Sequence, residues 1–82
     1  MQVDLKHINT ERGRNITETE AKEFVENAVL SIRVWGNYER YFAYEGAAYV
    51  DVVSDVIRTA FRKDQYNEKN MQMMEVCRRY GL

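Results

Sequence analysis

A single histidine, several arginines and a few aromatic rings are the residues of this chain best suited to chemistry on a phosphate. His7 is the only histidine, and imidazole titrates close enough to neutral pH to serve as an acid or a base. The planar forks of arginine match pairs of phosphate oxygens, which makes Arg14, Arg40 and Arg58 candidate phosphate ligands. These groups fit a metal-free RNA-cleaving site, which needs an acid, a base and cations around the phosphorane.

Further contacts to such a substrate come from the surrounding basic and aromatic side chains. Tyr49 and Phe42 are candidates for stacking on a splayed base, and Arg12 and Arg33 add positive charge. The same pattern also fits an arginine–aspartate network covered by aromatic rings, and a lone histidine is usually a solvated surface residue. The spacing of the residues alone does not favour either interpretation.

Composition limits the kind of protein this is. The 82 residues are enough for one domain, and the one cysteine excludes an internal disulfide. No zinc-type spacing, acidic cluster or phosphate-cradling glycine loop is present, so the sequence predicts neither a metal nor a cofactor. No apolar run is long enough to span a membrane. The net charge of −1 argues against a strongly basic coat protein for nucleic acid, but it permits a local basic patch.

The elements that must position these residues begin with a polar arm over residues 1–16, predicted as a short strand followed by a loop. Residues 17–82 then form one α+β domain. Thr17 and Glu20 have the spacing of a capping box, and apolar residues at helical spacing predict a first helix from about Glu18 to Leu30. A last helix, capped by Asp64 or Asn67, extends to about Tyr80, with Met73, Val76, Cys77 and Tyr80 as its apolar stripe and Met74 adding to it from the side.

Between the helices, a period of two predicts a four-stranded antiparallel β-meander. Two-residue turns at 36–37, 45–46 and 54–55 would pair Trp35 with Tyr38, Tyr44 with Ala47, and Val53 with Val56. In this register one face is apolar and forms the core: Ile32, Val34, Tyr41, Ala43, Ala48, Val50, Val52, Ile57 and Phe61. The other face is left open to a partner: Arg33, Trp35, Tyr38, Arg40, Phe42, Tyr44, Tyr49, Asp51, Arg58 and Arg62.

The predicted register also has consequences for individual site residues. It aligns Arg40, Asp51 and Arg58 in one cross-strand row, in which the aspartate would hold both arginines. It places Thr59 on the core face. A one-residue slip of any strand would exchange its two faces.

Four segments of the chain carry a family resemblance: "HINTERGRN", the capped helix "TETEAKEFVENAV", "GNYERYFAYEGAAYVDV" and "VIRTAFR". Together they resemble the phage and mobile-element branch of the barnase/EndoU/colicin-D/RelE-like nuclease superfamily, whose domains are often the C-terminal, toxin-like parts of larger phage or toxin proteins. The resemblance implies a compact α+β fold and metal-independent cleavage of RNA, tRNA or mRNA, through a 2′,3′-cyclic phosphate. It also implies a cytoplasmic site of action, delivery within a larger protein, and an immunity protein as a further partner.

Carried over by position, the resemblance matches His7 to an early histidine of the family, Arg12 or Arg14 to the basic residue that follows it, and Arg58 and Thr59 to a polar pair in the last strand. From the residues themselves, the predicted catalytic set is His7, Arg14 and Arg58, with Tyr49 to stack on a base or transfer a proton. Substrate contacts fall to Arg12, Arg33, Arg40 and Phe42. The second histidine of several such nucleases is missing, which fits either a branch that uses Arg and Tyr or an inactive copy. The alternative function is a non-catalytic phage structural or protein-binding domain that uses the same aromatic and basic sheet face.

Overall fold

The sheet of this protein has five strands and is mixed. The structure is a computed structural model that describes residues 1–82. Its strands are β1 (Gln2–Val3), β2 (Leu30–Arg33), β3 (Tyr38–Phe42), β4 (Gly46–Asp51) and β5 (Val56–Arg62), in the order β1-β5-β4-β3-β2. Strand β1 runs parallel to β5, and the other neighbours are antiparallel. The predicted α+β class is confirmed, but the predicted four-stranded sheet omits the parallel edge strand.

Helical segments lie before, within and after this sheet. They are a π-helix (Lys6–Glu11), α1 (Glu18–Glu26), a 3₁₀ turn (Lys63–Gln65) and α2 (Glu68–Arg79). Helix α1 is shorter than predicted, because Leu30 already belongs to β2. Asn67 is one of the two residues predicted to cap α2, and its side chain does so by accepting the N–H of Asn70.

The first hairpin differs from its prediction by one residue. The Val34 N–H donates to the Tyr38 carbonyl at 3.0 Å, so the loop contains three residues, with Gly36 at a φ of 86°. Arg40 therefore lies opposite Ile32, and Arg33 lies opposite Glu39. The predicted placement of Arg33 on the same face as Arg40 is wrong for this reason.

The pairing register of the second hairpin, between β3 and β4, differs from the predicted register by two residues. A shift of two leaves the side chains of both strands on their predicted faces. The Ala43 N–H donates to the Gly46 carbonyl at 2.9 Å, so the turn is at residues 44–45. Tyr49 consequently pairs with Arg40 in place of Phe42.

A four-residue loop joins β4 to β5, and a bulge beside Tyr49 shifts the pairing. Asp51 lies opposite Val56, and its Oδ1 accepts the N–H groups of Val53 and Ser54. The predicted row of Arg40, Asp51 and Arg58 is therefore not formed. Tyr49 lies opposite Thr59, which moves Thr59 from the predicted core face to the face of Tyr49.

Both faces of the sheet are covered, though unequally. The core beneath α1 and the π-helix contains Ile8, Ile16, Ala21, Phe24, Ala48, Val50, Ile57 and Ala60. A second core beneath α2 contains Phe42, Ala47, Phe61, Tyr66 and Met74. The predicted open face is thus closed at the α2 end, and it is open only toward Tyr38 and Arg40, which are both exposed.

The packing buries residues of the N-terminal segment and of α2 in the core. Ile8 and Ile16 are buried in the α1 core, so residues 1–16 pack as part of the same body as the sheet. In α2, Met74 and Cys77 are buried, whereas Val76 is 50% and Tyr80 78% exposed. The predicted stripe is therefore confirmed at Cys77 and Met74 and wrong at Val76 and Tyr80.

We predict that Gly46→Ala destabilises the fold. A Cβ at Gly46 would lie 2.6 Å from two carbons of the Phe24 ring, and overpacking of this kind costs about 1–3 kcal/mol. Urea unfolding monitored by circular dichroism measures the loss. Gly36→Asn is the control, because nothing lies within 4 Å of its Cβ position and Asn tolerates a positive φ. Equal stability of the Gly46→Ala variant and the parent would contradict the close packing.

Candidate functional site

Three of the eight arginines have no carboxylate partner within the chain. The other five place a guanidinium nitrogen within 4.0 Å of an aspartate or glutamate oxygen: Arg33, Arg58, Arg62, Arg78 and Arg79. Arg12, Arg14 and Arg40 form no such pair. Their charge is therefore available to an anion from outside the chain.

Two of the unpaired arginines, Arg14 and Arg40, lie over aromatic rings that contact each other. The Arg40 Cζ lies 4.7 Å from the centre of the Tyr49 ring, and that ring lies 5.4 Å from Phe61 in an edge-to-face contact. The Arg14 Cζ lies 5.3 Å from the Phe61 ring. These short steps place both guanidinium groups beside Tyr49. We call the surface formed by Arg12, Arg14, Arg40, Tyr49 and Thr59 the arginine face.

The electrostatic environment of Arg14 favours an anion. Burial and the neighbouring positive charge of Arg12 lower the pKa of Arg14, while the Tyr49 hydroxyl acts in the opposite direction. The Arg14 Nη1 is buried without a hydrogen-bond partner. A phosphate oxygen would supply that missing acceptor and would also reduce the repulsion between the two arginines.

Arg62 holds the loop that carries Arg12 and Arg14. Its Nε and Nη2 donate to the two carboxylate oxygens of Glu20 at 2.7 and 2.8 Å. Its Nη1 donates to the Asn15 side chain at 2.7 Å, and Nη2 also donates to the Asn15 carbonyl at 3.1 Å. This one guanidinium therefore ties together α1, β5 and the residue that follows Arg14.

A side-chain amide closes the same loop from within. Asn9 accepts the N–H of Ile16 at 2.7 Å and donates to its carbonyl at 2.8 Å. Gly13, at a φ of 68°, supplies the left-handed residue that the loop requires. The loop is thus anchored at both ends, and only the side chains of Arg12 and Arg14 project from it without an ionic partner.

His7 and Arg58, unlike the residues of the arginine face, both have carboxylate partners. The His7 ring bonds to Glu11 at 2.8 Å, and its backbone N–H donates to Asp4 Oδ1. Arg58 donates to Asp4 Oδ2 at 3.2 Å. The imidazole of His7 and the guanidinium of Arg58 are therefore each bonded to a different carboxylate, Glu11 and Asp4.

The remaining predicted site residues divide between the two sides of the sheet and its interior. Phe42 is 1% exposed and packs edge-on against Tyr49 and Tyr66, so it has no surface to offer a base. Arg33 lies 3.8 Å from Glu39 on the other face. Thr59 is half-buried beside Tyr49. The structure thus brings together Arg12, Arg14, Arg40, Tyr49 and Thr59, and excludes the others.

Arg62 is the positioning residue that the sequence reasoning missed. Thr17 does cap α1 by accepting the Glu20 N–H at 3.0 Å, but the Glu20 carboxylate binds Arg62 in place of the Thr17 N–H that a capping box would offer. One signal in the sequence could have indicated this pair: α1 begins with acidic residues, and β5 ends in an arginine. The 42-residue separation of the pair hides it from local patterns.

Comparisons with known proteins give no counterpart for this site. No family model, no curated protein sequence and no solved structure matches the chain significantly. Neither α-helix has the length and hydrophobicity that a membrane crossing requires, and no group of three or more His, Cys, Asp or Glu side chains is arranged to hold a metal ion. The arginine face therefore has to be interpreted from its own chemistry.

We predict that acid weakens the contact of Arg62 with Glu20. The hydrogen bond from Arg62 lowers the pKa of Glu20 below its ordinary value of 4.5. The unfolded chain therefore takes up this proton first as the pH falls, and the stabilisation present above about pH 4.5 is lost below it. Asp4, whose pKa is lowered by the His7 N–H and by Arg58, adds a loss in the same direction.

The measurement is urea unfolding of the parent and of Glu20→Gln between neutral pH and pH 3. The variant should be less stable at neutral pH, and the difference should shrink in acid. Glu18→Gln is the matched control, because Glu18 only pairs with Lys22 at the surface and such pairs contribute little. A difference between parent and Glu20→Gln that stays constant with pH would show that the pair is not linked to folding.

Proposed function

We propose that this chain binds RNA through the arginine face, in the manner of a metal-independent endoribonuclease domain. The observation that carries the proposal is that Arg12, Arg14 and Arg40 lack carboxylate partners, that Arg40 and Arg14 lie over the contacting rings of Tyr49 and Phe61, and that Arg12 is a charged neighbour of Arg14. Arginine and lysine side chains neutralise the phosphates of a nucleic-acid backbone and fix its position on the protein. The ring of Tyr49 offers a partner for a base.

The distribution of charge supports approach from this side. The chain as a whole carries a charge of −1, yet Glu18, Glu23 and Glu26 are exposed on α1, on the opposite side of the sheet. A polyanion is therefore repelled from the α1 side and attracted to the arginine face. Local attraction of this kind is screened by salt, because the groups are close to solvent.

Neutralising one arginine of the face should weaken RNA binding about tenfold, or about 1.4 kcal/mol. Arg14→Gln and Arg40→Gln keep a polar side chain and remove the charge. Fluorescence anisotropy with a labelled oligoribonucleotide measures the affinity, and the slope of log K against log salt should fall by about one for each lost phosphate contact.

Arg33→Gln is the matched control for these variants. Arg33 is also an exposed strand arginine, but it lies beside Glu39 on the other face. We expect it to leave affinity and salt dependence unchanged. Equal losses in Arg33→Gln and Arg40→Gln, or no loss in either Arg14→Gln or Arg40→Gln, would refute the assignment of the binding surface.

A second candidate function is cleavage of the bound RNA, and the position of Tyr49 favours it. Its hydroxyl has no hydrogen-bond partner within the chain, unlike those of Tyr41, Tyr44 and Tyr66, and it lies close enough to Arg14 to influence its pKa. In this reaction the 2′-oxygen attacks phosphorus and loses its proton to water, while the 5′-oxygen leaves with a proton from Tyr49. The products are a 2′,3′-cyclic phosphate and a 5′-hydroxyl, and Arg14 and Arg40 stabilise the phosphorane between them.

Tyr49→Phe should lower cleavage about a hundredfold, the usual contribution of a general acid, while the ring that packs against Phe61 and Arg40 is retained. Cleavage is measured as the cyclic phosphate formed from an end-labelled oligoribonucleotide, and binding is measured on the same preparation. Tyr80→Phe, at an exposed tyrosine of the C-terminus, is the control. If the parent, Tyr49→Phe and Arg14→Gln all cleave at one rate, the activity does not come from this site.

A further inference from the structure

The arginine face continues along β3 toward the tip of the first hairpin. Tyr38, Arg40 and Phe42 alternate on one face of β3, opposite Asp51, Tyr49 and Ala47 of β4. Phe42 is covered by α2, whereas Arg40 and Tyr38 are exposed. The uncovered part of the sheet therefore begins at Arg40 and extends toward the hairpin.

Trp35 lies at the end of this path and is 97% exposed. The turn at Gly36, with its φ of 86°, follows it. Tyr38, which is three residues after Trp35, is 39% exposed. Neither the Trp35 indole nor the Tyr38 hydroxyl forms a hydrogen bond within the chain, whereas Tyr41, Tyr44 and Tyr66 use their hydroxyls internally. The rings of Trp35 and Tyr38 contribute little to the core and are free to contact a ligand.

The second loop at this end of the sheet fixes the hairpin tip in place. The Val52 N–H donates to the Asn37 carbonyl at 2.9 Å, which joins the β4–β5 loop to the tip. The two aromatic rings are thus presented by a braced hairpin. Tyr38 lies two residues from Arg40 along the strand, a distance of about 7 Å, so one ligand can touch both.

We propose that the arginine face selects unpaired RNA, with bases stacked on Tyr38 and Trp35 while phosphates bind Arg40 and Arg14. This inference rests on the proposed function and names its substrate class. Aromatic side chains stack on bases whose faces are free, and in a duplex those faces are already covered by neighbouring base pairs. Positive charge alone would not distinguish the two forms, so the selection comes from the aromatic rings.

Trp35 is the only tryptophan of the chain, so its fluorescence reports on stacking directly. A short single-stranded oligoribonucleotide should quench Trp35 and give the same dissociation constant as anisotropy. The same RNA annealed to its complement should bind about tenfold more weakly and leave the emission unchanged. Inorganic polyphosphate, which has no bases, should bind to the arginines without quenching.

Variants separate stacking from charge. Trp35→Ala and Tyr38→Thr should each weaken single-stranded RNA about tenfold, while polyphosphate binding and the salt slope stay as in the parent. Both positions are exposed, and Thr retains the strand preference at residue 38. Tyr80→Ala, an exposed aromatic residue outside the sheet, is the matched control and should change neither ligand's affinity.

The outcomes distinguish this inference from the proposed function. RNA binding that depends on Arg40, combined with unchanged Trp35 emission and full affinity in Trp35→Ala, overturns the stacking path and leaves the arginine face in place. Equal affinity for duplex and single strand does the same. If no RNA binds, or if binding is insensitive to Arg40→Gln, the proposed function is overturned and the inference falls with it.

Discussion

The contact of Arg62 with Glu20 and Asn15 is the constraint on which the rest of the site depends. Arg62, the last residue of β5, donates four hydrogen bonds to Glu20 and Asn15, which are more than 40 residues away in sequence. The contact fixes α1 on one face of the sheet and draws the loop of Arg12 and Arg14 around the β5 edge. Without it, the carboxylate of Glu20 would be free to neutralise another arginine. Glu20 is thus paired with Arg62, and Arg12 and Arg14 have no carboxylate within 4.0 Å.

The same reasoning explains which arginines are able to bind a ligand. Arg58 has the type and position expected of a phosphate ligand, but Asp4 occupies its guanidinium group, and exchanging one anion for another yields little net free energy. Arg14, in contrast, has no anion beside it: its Nη1 is buried without an acceptor, and its charged neighbour is Arg12. The free energy of anion binding is therefore concentrated at Arg14 and Arg40, where no carboxylate has to be displaced.

The sequence predicted the α+β class, both α-helices and four antiparallel strands, with Asn67 as one of two candidate caps of α2, because these follow from local periodicity and capping chemistry. The pairing of β1 with β5, which makes the sheet five-stranded and mixed, was not predicted. The sequence also did not predict hairpin loop lengths. Gly36 marks a turn, but a loop of two or three residues determines which face Arg33 occupies, and nothing in the turn residues separates the two. The second turn was misplaced by one position, which shifted the register by two and left the faces of Tyr49 and Arg40 as predicted. Pairs such as Glu20 and Arg62 depend on tertiary packing and have no local signal.

The chemistry of the arginine face favours binding over catalysis. Cleavage through a cyclic phosphate requires two proton transfers, and His7, the residue best suited to one of them, has its ring bonded to Glu11 in the π-helix that packs beneath the other face. Tyr49 alone supplies a single transfer, so a reaction here would rely on water for the second. Electrostatic stabilisation of the phosphorane needs only well-placed cations, and those are present. Under the proposed function, such a face would hold RNA whether or not it cuts it, because phosphate binding needs the cations alone and cleavage needs a base as well.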